Sequence, residues 1–171
     1  MYSRLFKAPK SKSFFLFGPR GTGKSSWIRE NLPGARVFDL LDDSTFQELL
    51  AAPSRLESLL EGHSRDQMVV IDEVQRVPAI LSQVHRLIEN RRFQFALTGS
   101  SARKLKRQGV DLLAGRALTS HFYPLTAQEL GTDFNLRKSL LWGHLPAVGT
   151  EEDPASFLKS YVVSYLREEV Q

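Results

Sequence analysis

The chain of 171 residues contains no cysteine, so disulfides, cysteine-ligated zinc and thiol nucleophiles are excluded together, and nothing follows about redox compartment. It also lacks a long apolar run. The basic stretch up to Ser13 leads only into Phe14-Phe15-Leu16-Phe17, too short for a signal peptide or a membrane span. The expectation is a cytoplasmic protein with no membrane partner. No internal repeat, low-complexity tract or heptad array is present, which removes solenoids, fibrous chains and coiled coils. The histidines at 63, 85, 121 and 144 show no metal-ligand spacing, and there is no Asn-Lys-x-Asp segment of the kind that reads guanine.

What is present is ordinary in amount and uneven in placement. Hydrophobic residues at 42% and charged residues at 25% suit a soluble globular chain, and the length suits one full α/β domain with an appendage. The net charge is +4 and the pI about 9.5. Residues 1–36 carry eight Lys or Arg against Glu30 alone, a bias toward anionic partners.

The hydrophobic pattern predicts strands and helices in alternation. Residues 14–17 read as a buried strand entering a turn, followed by a helix from near Lys24 to the Leu32-Pro33-Gly34 stop. A strand over 36–40 precedes two helices, whose starts carry the capping-box spacings Ser44 with Gln47 and Ser54 with Glu57. Met68-Val69-Val70-Ile71 reads as a second buried strand, and Pro78 precedes a helix with Ile80, Leu81, Val84, Leu87 and Ile88 on one side. Strands over 93–97 and 118–122 flank a basic helix, with Arg103, Lys104, Lys106 and Arg107, that starts near Ala102. This order predicts a parallel sheet with helices on both faces. From Thr126, with Glu129 completing another capping box, short helices run to Trp142, and Pro146 and Gly149 then break the chain. Asp153 and Pro154 open a last helix with Phe157, Leu158, Tyr161, Val162, Tyr165 and Leu166 as its apolar stripe. We therefore expect a core over 1–123 and a helical extension over 124–171.

Gly18-Pro19-Arg20-Gly21-Thr22-Gly23-Lys24-Ser25 fits the G-x-x-x-x-G-K-[ST] phosphate loop in full, between an apolar strand and a helix start. Its glycines let the backbone approach phosphates closely, so that N–H groups converge on them at a helix N-terminus, with Ser26 continuing the segment. Lys24 would reach the β and γ phosphates, and the Ser25 hydroxyl would ligate Mg2+. Asp72 and Glu73 end an apolar strand 48 positions beyond Lys24, a Walker B pattern. Asp72 takes the metal role there, and Glu73 is the candidate base for an attacking water. Thr98, at the end of the next strand, is the candidate sensor of the γ-phosphate, while Ser100 and Ser101 read equally well as helix caps. Arg116, beside Gly115, could stabilise a transferring phosphoryl group in its own chain or in a neighbouring subunit.

With these residues placed, the chain resembles the AAA-superfamily ATPases in which an N-terminal ATP-binding domain precedes a C-terminal domain. Phe15-Leu16-Phe17-Gly18-Pro19-Arg20, Val70-Ile71-Asp72-Glu73-Val74-Gln75, Leu97-Thr98-Gly99-Ser100-Ser101, Leu113-Ala114-Gly115-Arg116 and Tyr123-Pro124-Leu125-Thr126 carry the resemblance, in the family's order. It implies a P-loop sandwich with strand order 5-1-4-3-2 and Thr98 between the two motifs. It also implies a junction to the C-terminal domain at Tyr165-Leu166-Arg167-Glu168-Glu169-Val170. The function expected is an ATPase binding Mg-ATP and acting as a switch or motor on DNA or a protein client, with a homo-oligomer as one arrangement. Two alternatives remain: a P-loop kinase or other phosphotransferase, which the adjacent Asp72-Glu73 argues against, and an ATP-gated nucleic-acid module using the basic N-terminal half.

Overall fold

A computed structural model describes residues 2–107 and 112–165, with Lys104 and Arg107 described by their backbone alone. Leu166 of the expected stripe and the junction residues 166–170 lie outside the described residues, as do the side chains of two members of the basic cluster. Strand β1, Ser13–Phe17, is buried at every position, an interior strand with a neighbour on each side and helices over both faces. It pairs in parallel with β4, Phe95–Gly99, on one side and with β5, Ala117–His121, on the other. Outside β4 come β3, Val69–Asp72, and β2, Arg36–Asp39, also parallel. The sheet order β2-β3-β4-β1-β5 is the expected 5-1-4-3-2 counted from the other edge.

Alternation along the strands sorts two apolar layers. Phe15, Phe17, Val69, Ile71, Phe95 and Leu97 pack with Leu49 of α2 (Asp43–Ala51), Leu56 of α3 (Arg55–Leu59) and Ile80, Leu81, Val84 and Leu87 of α4 (Ile80–Arg91). Phe14, Leu16, Val70 and Ala96 pack on the other face with Trp27 and Ile28 of α1 (Lys24–Asn31) and with Phe122. Each fully buried side chain of this size contributes about 1.5–3 kcal/mol, so the two layers make the sheet a rigid base. The same alternation puts Asp72, two residues after Val70, and Thr98, two after Ala96, on the α1 side at the carboxyl edge of the strands.

Several boundaries differ from expectation. β4 starts two residues later than predicted, and β5 one residue earlier. Asp42, not Ser44, caps α2: its carboxylate accepts from the Thr45 N–H at 2.9 Å, while Ser44 sits inside the first turn and donates to Asp42. Ser54 makes no side-chain cap on α3. The Arg55 and Leu56 N–H groups are already bonded to the Ala52 and Pro53 carbonyls, so a turn precedes the helix and satisfies those donors. Beyond β4, α5 spans Ala102–Arg107, and Ser101 accepts from the Arg103 N–H at 3.1 Å. The capping box of Thr126 and Glu129 is present on α6, Ala127–Leu130. It is followed by α7, Leu136–Trp142, a 3-10 turn over Pro146–Thr150, and α8, Pro154–Tyr165, capped by Asp153. Among the described residues, no helix is long and apolar enough to cross a membrane.

Candidate functional site

The loop between β1 and α1 is shaped by close backbone approach. The Phe122 N–H donates to the Phe17 carbonyl at 2.6 Å, and the Gly18 N–H donates to the Gly99 carbonyl at 3.1 Å. A Cβ on Gly18 would lie 2.0 Å from the Phe122 carbonyl oxygen, so no other residue fits there without moving the strand exit. Gly21 and Gly23 take φ of 77° and 91°, left-handed values that other residues avoid. Thr22 is fully buried and its hydroxyl donates to the Pro19 carbonyl at 2.8 Å, which closes the loop on itself. The Lys24 ammonium is buried too, donating to the Gly18 carbonyl at 2.5 Å and the Pro19 carbonyl at 3.1 Å. Its charge is therefore held directly over the loop.

The second half of the site comes from the ends of β3 and β4. The Ser25 hydroxyl at the start of α1 donates to Asp72 Oδ2 at 2.7 Å, reaching across β4. Thr98, on β4 between them, donates from its hydroxyl to Asp72 Oδ1. The Glu73 N–H faces both Asp72 Oδ1, at 3.1 Å, and Thr98 Oγ1, at 3.2 Å. Asp72 and Glu73 are both buried. The Glu73 carboxylate accepts from Gln75 Nε2, which also lies 3.4 Å from the Ser100 hydroxyl. Gln75 Oε1 is buried without a partner, and a Cβ on Gly99 would come within 2.4 Å of it.

Arg20, Gly21, Gly23, Lys24, Ser25, Ser26, Leu41 and Glu73 line one groove of about 370 Å³. A larger hollow of about 620 Å³ lies among the appended helices, with Tyr2, Phe134, Trp142, His144 and Pro146 in its wall. The phosphate loop is absent from that wall, so the smaller groove is the one the chemistry points to. Arg116 stands elsewhere. It precedes Ala117, which pairs with Ser13 at the start of β1, about 13 Å along the strand from the loop. Its Nε donates to Glu89 Oε1 at 2.5 Å. The structure thus brings together residues 18–26, Asp72, Glu73 and Thr98, and does not bring Arg116 to the loop of its own chain.

Two contacts reach the loop from outside the strand motifs. Arg4 donates to the Thr22 carbonyl and pairs with Glu129, and Tyr161 Oη of α8 donates to the Arg20 carbonyl at 3.0 Å. Sequence reasoning had no signal for either. Arg4 counts only as one of the basic residues of the first segment, and Glu129 only as half of a capping box. Gln75 carried a weak signal, as the polar residue two positions beyond the strand acids.

The family described as an AAA domain matches residues 10–131. No curated protein matches the chain. The fold is similar to that of a Pyrococcus horikoshii signal transduction ATPase with numerous domains and a tetratricopeptide repeat sensor. That pair shares 14% identity and a TM-score of 0.52, over 99% of this chain and 34% of the other. The Holliday junction branch migration motor RuvB of Thermotoga maritima gives 20% identity and a TM-score of 0.49, over 76% of this chain and 44% of RuvB. ORC1 of Aeropyrum pernix, in complex with DNA, gives 17% and 0.48, over 95% and 50%. The chain spans half or less of the length of each.

Proposed function

The chain belongs to the AAA domain family, and from that membership we propose that it binds Mg-ATP in the groove at the phosphate loop and hydrolyses it. The observation that carries this reading is the contact of Ser25, which lines the groove, with Asp72 at 2.7 Å. A hydroxyl and a carboxylate so placed are hard oxygen donors of the kind that hold Mg2+ together with waters and phosphate oxygens. The ion would offset the charge of the phosphates when bound. Lys24 would exchange the Gly18 and Pro19 carbonyls for the β and γ phosphate oxygens, while the N–H groups at the start of α1 complete the cradle. Residues 18–26 are the phosphate-binding set in this proposal.

Glu73 is assigned as the general base. Its carboxylate accepts a proton from the water attacking the γ-phosphorus as the bond to the β-phosphate oxygen breaks. Gln75 holds that carboxylate through Nε2, and Thr98 ties Asp72 and the Glu73 N–H together, which suits a group that senses the γ-phosphate. Arg116 is assigned to the groove of a neighbouring subunit, because its own groove lies at the opposite end of β1. We read residues 124–171 as the extension that passes the nucleotide state to a C-terminal domain, and the whole as a switch or motor acting on DNA or a protein client.

Phosphate release and Mg-ATP binding by the wild type and Glu73→Gln test the reading. Glu73→Gln is expected to keep the Mg-ATP affinity within about threefold while turnover falls at least about a hundredfold. Unchanged turnover removes Glu73 from the base role, and a wild type that binds no Mg-ATP overturns the proposal. Duplex DNA added to the same assay separates the clients: stimulation that weakens steeply with salt identifies DNA.

A further inference from the structure

Arg4 stands behind the phosphate loop with every guanidinium nitrogen engaged. Nε donates to Glu129 Oε1 at 2.9 Å, Nη1 to the Thr22 carbonyl at 2.7 Å, and Nη2 to the Tyr123 carbonyl at 2.5 Å. The cation also lies 4.0 Å from the centre of the Phe122 ring, and both partners of the ion pair are buried, at 9% and 4% side-chain exposure. Glu129 is itself held, accepting from the N–H groups of Leu5 and Thr126 at 2.8 Å each. A fork of this kind fixes direction as well as charge, which a lysine cannot do with one nitrogen.

In a trans peptide the C=O and the following N–H point opposite ways, and no cis bond is present among the described residues. Securing the Thr22 carbonyl on Arg4 therefore turns the Gly23 N–H away from Arg4. Thr22 is fully buried, whereas Gly23 lines the groove. Gly23 has no side chain to resist a flip of the Thr22-Gly23 peptide, so an outside partner is needed to hold that plane. We propose that Arg4, set by Glu129, is a positioning residue that presents the Gly23 N–H to a phosphate group in the groove. This rests on the reading of the groove as a nucleotide site, and it ties residues 126–129 to the shape of the loop.

The full chain and its variants Arg4→Lys, Arg4→Gln, Glu129→Gln and Arg4→Gln with Glu129→Gln are titrated with Mg-ATP and with magnesium tripolyphosphate. Melting temperatures and the amide NMR spectrum are recorded alongside. Wild type should bind tripolyphosphate with a downfield move of the Gly23 amide. Both Arg4 variants should bind it about tenfold more weakly and lose that move, since a hydrogen bond from a charged donor is gone. Arg4→Lys should do so while melting within about 3 °C of wild type, because it keeps a charge beside Glu129. The double variant should bind within about twofold of Arg4→Gln, because Glu129 acts through Arg4. A Gly23 amide that responds normally in the Arg4 variants, or an Arg4→Lys affinity equal to wild type, overturns the proposal alone. A wild type that binds neither probe overturns the nucleotide reading and this proposal with it.

Discussion

Glu73 sits at φ 58° and ψ 44°, a left-handed backbone conformation that residues other than glycine, asparagine and aspartate rarely adopt. Its N–H is drawn toward Asp72 and Thr98, and its carboxylate is held by Gln75, so the residue is bent between two anchors. Holding such a backbone costs about 1–3 kcal/mol, and sites of this kind cluster where chemistry needs a fixed direction. Glu73→Gly is therefore expected to raise the stability of the chain by about 1 kcal/mol in urea unfolding while removing turnover, whereas Glu73→Gln leaves stability nearly unchanged. A Glu73→Gly protein no more stable than wild type would show that the left-handed turn is relaxed by its contacts. Gly18 and Gly99 make the complementary point. Gly18 is glycine because the Phe122 backbone carbonyl occupies the place of a Cβ, whereas at Gly99 the neighbour is the movable end of the Gln75 side chain, whose Nε2 holds Glu73.

Among the elements, α6 has a cap that does more than close a helix. Burial alone would raise the Glu129 carboxyl, but the Thr126 and Leu5 N–H groups and the Arg4 guanidinium outweigh it and hold it below the usual carboxylate range. A lowered folded value means that stability is present above the unfolded value, near pH 4.3, and is lost as pH falls through the folded one. Thermal melts from about pH 5 down to pH 3 should show wild type losing more stability than Glu129→Gln. The capping carboxylates of Asp42 and Asp153 are lowered as well, but they are common to both proteins, so the difference between the curves isolates Glu129. Parallel curves would deny Glu129 its charged role. The same element shows what a sequence can disclose. Thr126 and Glu129 are legible as a box because the partners are three positions apart, and the phosphate loop is legible because glycines, lysine and serine are contiguous. The Arg4 to Glu129 pair joins residues 125 positions apart, and only the placement of the N-terminal segment against Phe122 brings them together. The expectation of a Ser44 cap fails for a local reason. The turn joining the Asp42 N–H to the Asp39 carbonyl delivers the Asp42 carboxylate to the helix start first.

For the whole molecule, the sheet order decides which groups can share a groove. β3, β4 and β1 are adjacent, so Asp72, Thr98 and the phosphate loop meet at one carboxyl edge, while Arg116 enters β5 at the opposite edge. The separation of about 13 Å along the strand is the reason for assigning Arg116 to a neighbour's groove rather than its own. Its pairing with Glu89 is partly exposed, at 38% and 46%, and such a pair contributes about 0–1 kcal/mol, so its removal leaves the fold intact. If Arg116 serves a neighbour, Arg116→Ala should keep its melting temperature and Mg-ATP affinity while turnover falls about a hundredfold or more. Turnover per chain of the wild type should rise with protein concentration as subunits associate. The decisive measurement mixes two inactive proteins. Glu73→Gln keeps Arg116 but lacks the base, and Arg116→Ala keeps the base but lacks the arginine. In an equal mixture that exchanges subunits, about a quarter of the interfaces join an intact base to an intact arginine, so about a quarter of wild-type turnover should return. A mixture as inactive as its parents would confine Arg116 to its pairing with Glu89.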